Sequence, residues 1–154
     1  MAAGDQWDSV MNYDAFMEPL TWFLTGMEKH SDEYKDYMLG NIENFENAMT
    51  HYMASFGTPS LQCAMNQLSN HDHSRFLTRT NHKVGRAVNL GTQAASEGIN
   101  RGVMKEAVIV QMTWPGAPTL YYGDEAGLCG FTDPDNRRYL PLGQRRQNAD
   151  SFPS

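Results

Sequence analysis

At 154 residues, with 40% apolar and 19% charged side chains, the sequence has the size and composition of one globular domain and not of a disordered chain. A formal net charge of −6 argues against nucleic acid as a general partner, because phosphate recognition needs clustered Lys and Arg, and the clearest basic cluster (Arg145-Arg146 with Arg137-Arg138 nearby) is confined to the C-terminal end. Cys63 and Cys129 make no disulfide framework, no apolar run approaches the roughly 20 residues needed to cross a bilayer, and the first residues lack the pattern of a secretory leader, so a soluble cytoplasmic protein without a membrane partner is expected.

Ser9 to Tyr13 reads as a short strand, with a turn beginning at or near Asp14. Ala15 to Leu24 has helical apolar density, with Phe16, Leu20, Phe23 and Leu24 on one side, limited by Pro19 and ended by Gly26. Ser31-Asp32-Glu33 is expected to cap a helix start. Ile42, Phe45, Met49, Tyr52, Met53 and Phe56 then recur at three- and four-residue spacing, which predicts an amphipathic helix stopped by Gly57 and Pro59 and buried, most simply, against a sheet. Cys63 to Leu68 reads as a second strand. The stretch from Thr80 to Gly102 is rich in Asn, Gly, Thr and Ser and predicts a long loop carrying a broken helix. Val103 to Met112 is apolar nearly all round, predicting a deeply buried helix that ends at Trp114-Pro115-Gly116. Thr119 to Tyr122 reads as a third strand. Strands alternating with helices imply parallel strands joined by helical crossovers.

The strand ends are polar. The second runs into Asn70-His71-Asp72, the third into Gly123-Asp124-Glu125, and the first into Asp14. A carboxylate beside an imidazole at the C-terminal end of a parallel strand occupies the place where barrel enzymes gather their chemistry. Taken alone, Asn-His-Asp is as often a mere turn or cap as a functional site, because Asn and Asp favour both. His71, His73, Asp72 and His82 lack an ordered ligand pattern, which favours solvated loop histidines over a metal site. No cofactor is indicated. Tyr121, Tyr122 and Trp114 suit core packing at least as well as stacking on a ligand ring.

Four segments in order resemble glycoside hydrolase family 13, the α-amylase family, and within it the neopullulanase, cyclomaltodextrinase and maltogenic-amylase-like α-glycosidases. Gly4 to Tyr13 resembles the sixth barrel strand, and Asn70-His71-Asp72 the motif after the seventh. Pro115 to Glu125 resembles the eighth strand and its exit, and Asp133-Pro134-Asp135-Asn136-Arg137-Arg138 a loop common in this subgroup. The resemblance implies an α/β fold: a partial (β/α)8 TIM barrel, about strands six to eight with their helices, over residues 1–138. It implies an α-glucan or maltooligosaccharide substrate. Asp72 corresponds to the carboxylate that stabilises the distorted, oxocarbenium-like transition state, and His71 to a donor to hydroxyls of the same sugar. The last loop is open to two readings: a sugar subsite using Asp135 and Arg137, or an ion-paired turn, with the turn favoured.

Retaining glycosidases also need a nucleophile and an acid/base about 5 Å apart. In the family these follow the fourth and fifth strands, upstream of the segments matched here. The expectation is a fragment inactive alone, with a missing half-barrel as partner or self-association through open strand edges; the alternatives are a non-catalytic sugar-binding or complementing half-barrel and a degenerate gene product with no activity. Relatives continue after the Arg-Arg pair with Thr-Tyr-Pro-Trp-Gly and Lys-Glu-Asp or a close variant. Synonymous codons for Tyr139 to Gln147, read one base later, encode that continuation, so residues 139–154 are expected to be a frameshifted tail.

Overall fold

The computed structural model describes residues 8–140. Three segments run side by side in one direction. Met11 makes a single parallel bridge to Met65, and β1 (Met65–Gln67) pairs in parallel with β2 (Ala117–Thr119), Asn66 lying opposite Pro118. All three strands are shorter than expected, each for a local reason. The first is cut off by a π-turn, Tyr13–Met17. Cys63 is the C-cap of a short helix, α3 (Thr58–Gln62). The third lies earlier than Thr119 to Tyr122, and the carbonyl of Tyr122 is taken by the Arg75 guanidinium. A buried amide ladder crosses the segments. Asn12 Nδ2 donates to Asn66 Oδ1 at 2.8 Å, and Asn66 Nδ2 donates to the Pro115 carbonyl at 3.0 Å. Gly116, with φ +137°, is required here, since a Cβ would lie 2.4 Å from Asn66 Nδ2.

The π-turn leads into α1 (Glu18–Thr25). Pro19 sits in its first turn, where no intrahelical donor is needed, so it starts the helix rather than limiting it; Gly26, at φ +63°, ends it. α2 (Ile42–Met53) is capped not by Ser31-Asp32-Glu33 but by Asn41, whose Oδ1 accepts from the Asn44 amide at 3.0 Å. Ser31 instead occupies a buried turn at φ +65°. The apolar stripe of α2 packs on α1 and the π-turn, not on a sheet. Met49 is buried, whereas Ile42 remains 62% exposed, because only the arc facing α1 is covered.

The loop after β1 leads to α4 (Phe76–Arg79). The long stretch that follows carries the short α5 (Ala87–Leu90) and a 3-10 turn, Thr92–Ser96, as its composition predicts. The crossover to β2 is α6 (Arg101–Thr113), capped by Asn100. Its expected deep burial is incorrect. Ala107 and Gln111 are buried, but Ile109 is 64% exposed, since α6 packs on α1 and α4 along one side only. Gln111 Nε2 donates to the carbonyls of Asn66 and Thr119, each at 2.9 Å, tying the crossover to both strands it joins.

Phe16, Met17, Leu20, Met49, Leu68, Phe76 and Ala107 form the main core, and Leu77, Ala94, Ala95, Cys129 and Phe131 a second. Among the described residues no helix is long and apolar enough to cross a membrane. The tail from Pro141 onward lies outside the described residues.

Candidate active site

β1 ends in a tight turn built by one side chain. Asn70 Oδ1 accepts from the amides of Asp72 at 2.9 Å and His73 at 3.1 Å, an Asx-type turn that reverses the chain within a few residues. His71 and Asp72 project from its tip. Their side chains are 53% and 55% exposed, with His71 Nε2 3.4 Å from Asp72 Oδ1, an ion pair only when the imidazole is protonated.

The exposed tip rests on a buried frame. The carbonyl of Asp72 accepts from the Thr132 hydroxyl and, at 3.4 Å, from the Asp133 amide. Asn136 Nδ2 donates to the carbonyls of Asn70 at 3.2 Å and His73 at 2.7 Å. Arg75, fully buried, donates from Nε to the Asn136 carbonyl and from Nη1 to the Tyr122 carbonyl and Asp124 Oδ1, all at 2.8–2.9 Å. Its guanidinium also lies over the rings of Tyr121 and Tyr122, 4.4 and 5.1 Å from their centroids. Burial lifts the Asp124 carboxyl above its ordinary range, although Ser69 and Arg75 pull the other way. The buried pair is held by geometry and by additional hydrogen bonds, not by a free gain from burying charge.

Beneath the tip, His73 is buried edge-on to Tyr13 and His30, with ring centroids 5.4 and 4.8 Å away. Burial, with help from Arg79, lowers its pKa to about 3, so it is neutral. His30 Nδ1 lies 2.9 Å from Thr132 Oγ1. A hydroxyl has one proton, and that of Thr132 goes to the Asp72 carbonyl, so His30 Nδ1 is the donor in this contact. Tyr13 Oη accepts from Asn70 Nδ2 at 3.1 Å. Burial, then the charge of Asp72, raises the Tyr13 phenol, placing it within the field of that carboxylate. Lys29, paired with Glu18, lies 5.9 Å from the centre of the Tyr13 ring.

The remaining candidates separate. Both oxygens of Asp135 are engaged inside their own turn, accepting from the Phe131 amide and from Arg138. Arg137 is exposed and paired with Asp133 at 2.5 Å; that bond first, and more weakly Tyr121 and Asp72, hold its guanidinium above its ordinary range. The structure pairs Arg137 with Asp133 within its own turn and commits Asp135 to the fold. Asp133, Pro134 and Asp135 also form one wall of an open cleft of about 550 Å3, faced by Arg86, Val88 and Thr92. Asp14 lies elsewhere, in a groove between α1 and α2. Asp124 and Glu125 hold the loop, the latter accepting from the Gly123 amide. His82 stacks on Tyr34, away from His71, and among the described residues no group of three or more His, Cys, Asp or Glu is placed to hold a metal. Thr132 and His30 were not identifiable from local sequence, whereas Tyr13 ends the Gly4–Tyr13 segment and Asn136 lies within the Asp133–Arg138 motif without either being singled out.

An exposed carboxylate and imidazole on a braced strand-end turn can accept from and donate to adjacent sugar hydroxyls. A single carboxylate cannot be both nucleophile and acid/base.

Comparison with known proteins gives the family. The α-amylase catalytic-domain model matches residues 2–151. Neopullulanase 2 of Thermoactinomyces vulgaris is 35% identical over 149 residues, covering 97% of this chain and 20% of its own length. A cyclomaltodextrinase of Thermoanaerobacter pseudethanolicus is 30% identical, with 97% and 21% covered. Among solved structures, the debranching enzyme of Nostoc punctiforme superposes with a TM-score of 0.65 at 29% identity, over 91% of this chain and 26% of that one. The chain spans about a fifth of the length of these two curated relatives. It belongs to the α-amylase family of glycoside hydrolases.

Proposed function

We propose that this chain supplies the transition-state-stabilising part of a retaining α-glucan-acting site, for hydrolysis or transfer of α-glucosidic bonds in starch-derived oligosaccharides. The observation that carries the reading is the His71–Asp72 pair, exposed at the end of β1 and 3.4 Å apart on a turn whose carbonyls are held from below. Asp72 accepts hydroxyls of the ring being flattened, and His71 donates to the same sugar. Hydrogen bonds that strengthen as charge develops at the anomeric carbon lower the barrier; equal binding of ground and transition states does not. The nucleophile and acid/base come from a segment beyond the residues matched here, the preceding strands of a barrel of which residues 1–138 are the C-terminal part. A cytoplasmic location belongs to the same reading.

The purified chain is accordingly expected to turn over neither maltooligosaccharides nor cyclodextrins. Turnover that disappears in Asp72→Asn would overturn the division of labour. A second reading, a sugar-binding or complementing half-barrel, is favoured by the apolar side chains left open on α2 and α6. Adding the upstream half-barrel separates the two: restored turnover supports complementation, and saturable maltose binding without it supports a binding module. For residues 139–154, coding DNA that cannot yield the family continuation in another frame would exclude the frameshift.

A further inference from the structure

We infer that Asn136 and Thr132 are positioning residues for Asp72, a proposal that rests on the function assigned above to that carboxylate. Three carbonyls of the turn, those of Asn70, Asp72 and His73, are each bound by a side chain from the single segment 132–136. Asn136 is fully buried, and its Oδ1 has no hydrogen-bond partner among the described residues. Its amide is therefore used as a donor, and its Nδ2 spans the turn from one side of His71-Asp72 to the other. The Asn136 backbone is itself fixed, because its carbonyl accepts from buried Arg75 at 2.8 Å. Thr132 adds the third tie and is fixed in turn by His30.

The arrangement acts on one degree of freedom. Asp72 is half exposed, and among the described residues the side chain paired with its carboxylate is the equally exposed His71, so the side-chain environment leaves its direction weakly defined. Its backbone is defined by carbonyl ties on both flanks and at the residue itself. A carboxylate that must meet a distorted sugar ring needs its origin fixed to within a fraction of an ångström, which rigid backbone anchoring supplies. The family-like Asp133–Arg138 loop thus serves the site through Asn136, whatever sugar contact Arg137 makes.

Two volume-conserving variants of the full chain test this: Asn136→Leu, which removes the donors, and Thr132→Val, which removes the hydroxyl and keeps the fold if the first variant does not. Amide hydrogen exchange is read at Asp72 and His73, whose amides donate to Asn70 Oδ1. A lost buried hydrogen bond is expected to speed exchange there by about tenfold in Asn136→Leu and about threefold in Thr132→Val, leaving the sheet amides of Asn12 and Ala117 unchanged. Unchanged exchange at Asp72 and His73, or equal acceleration at Asn12 and Ala117, would overturn the positioning role. A second arm, with the upstream half-barrel added, titrates acarbose, whose half-chair ring and protonated bridging amine resemble the transition state, against maltotriose. The variants should lose affinity for acarbose about tenfold and for maltotriose at most about twofold. Equal losses would overturn the link to catalysis. A wild-type chain that binds neither ligand with the upstream half-barrel present would overturn the functional reading itself, and the exchange arm would still decide whether Asn136 and Thr132 hold the turn.

Discussion

Arg75 and Arg79 lie one helical turn apart and both are fully buried, yet the regions around them solve the problem of a buried cation differently. Arg75 faces the loop layer and has Asp124, two carbonyls and two tyrosine rings. Arg79 faces the core between β1 and α1, and its hydrogen-bond partners, the Thr21 hydroxyl and the Leu68 carbonyl, are uncharged. Burial lowers its pKa to about 10, against the pull of distant Asp124, Glu28 and Glu18. The lesson is that charge is compensated where it braces the candidate site, and is merely solvated by dipoles where it plugs the core.

The largest test of that contrast is Arg75→Met. It leaves a buried Asp124 unpaired and is expected to cost about 3–5 kcal/mol in denaturant unfolding. Arg79→Met removes a cation with no carboxylate at hand and should cost no more than about 1–2 kcal/mol, the loss of its hydrogen bonds to neutral partners offset by relief of desolvation. Equal losses would break the comparison. Acid sharpens it from the side of His73. Its native pKa of about 3 lies below the ordinary 6.5, so the unfolded chain takes up a proton that the native state refuses as pH falls between those values. Stability present above pH 6.5 should fall across that window by up to about 1.4 kcal/mol per pH unit, and His73→Phe should flatten this slope in pH-dependent melting. The smallest effect is expected at the exposed Arg86–Asp32 pair. Arg86→Ala should change stability by less than about 1 kcal/mol, and that little should vanish in high salt.

Much of this was legible in the sequence, and the exceptions have physical causes. The α2 helix followed from the spacing of Ile42, Phe45, Met49 and Met53, because periodicity is a local property. Its cap did not: Ser31-Asp32-Glu33 has the right chemistry, but Asn41 is the residue positioned to reach the Asn44 amide. β2 was placed too late because Pro118 weakens the strand signal where the ladder forms, while Tyr121 and Tyr122 strengthen it where the chain has already turned. The burial of α6 was overestimated because apolar composition gives no direction. Asp72 and His71 were found through a contiguous motif. Asn136, Thr132 and His30 were not, since each reaches the turn from a distant part of the chain and only the fold brings them together.

The two hydrogen bonds from Gln111 have a consequence for the surface of α6. With about 100° between successive helical residues, fixing Gln111 toward the strands fixes the azimuth of every other position. Met112 is then turned a quarter-circle or more away, and Ile109 almost to the opposite side. The helix cannot roll to hide these side chains without releasing the Asn66 and Thr119 carbonyls together. Its greasy outer face is therefore locked in place by a polar pin: whatever covers it must come to the helix.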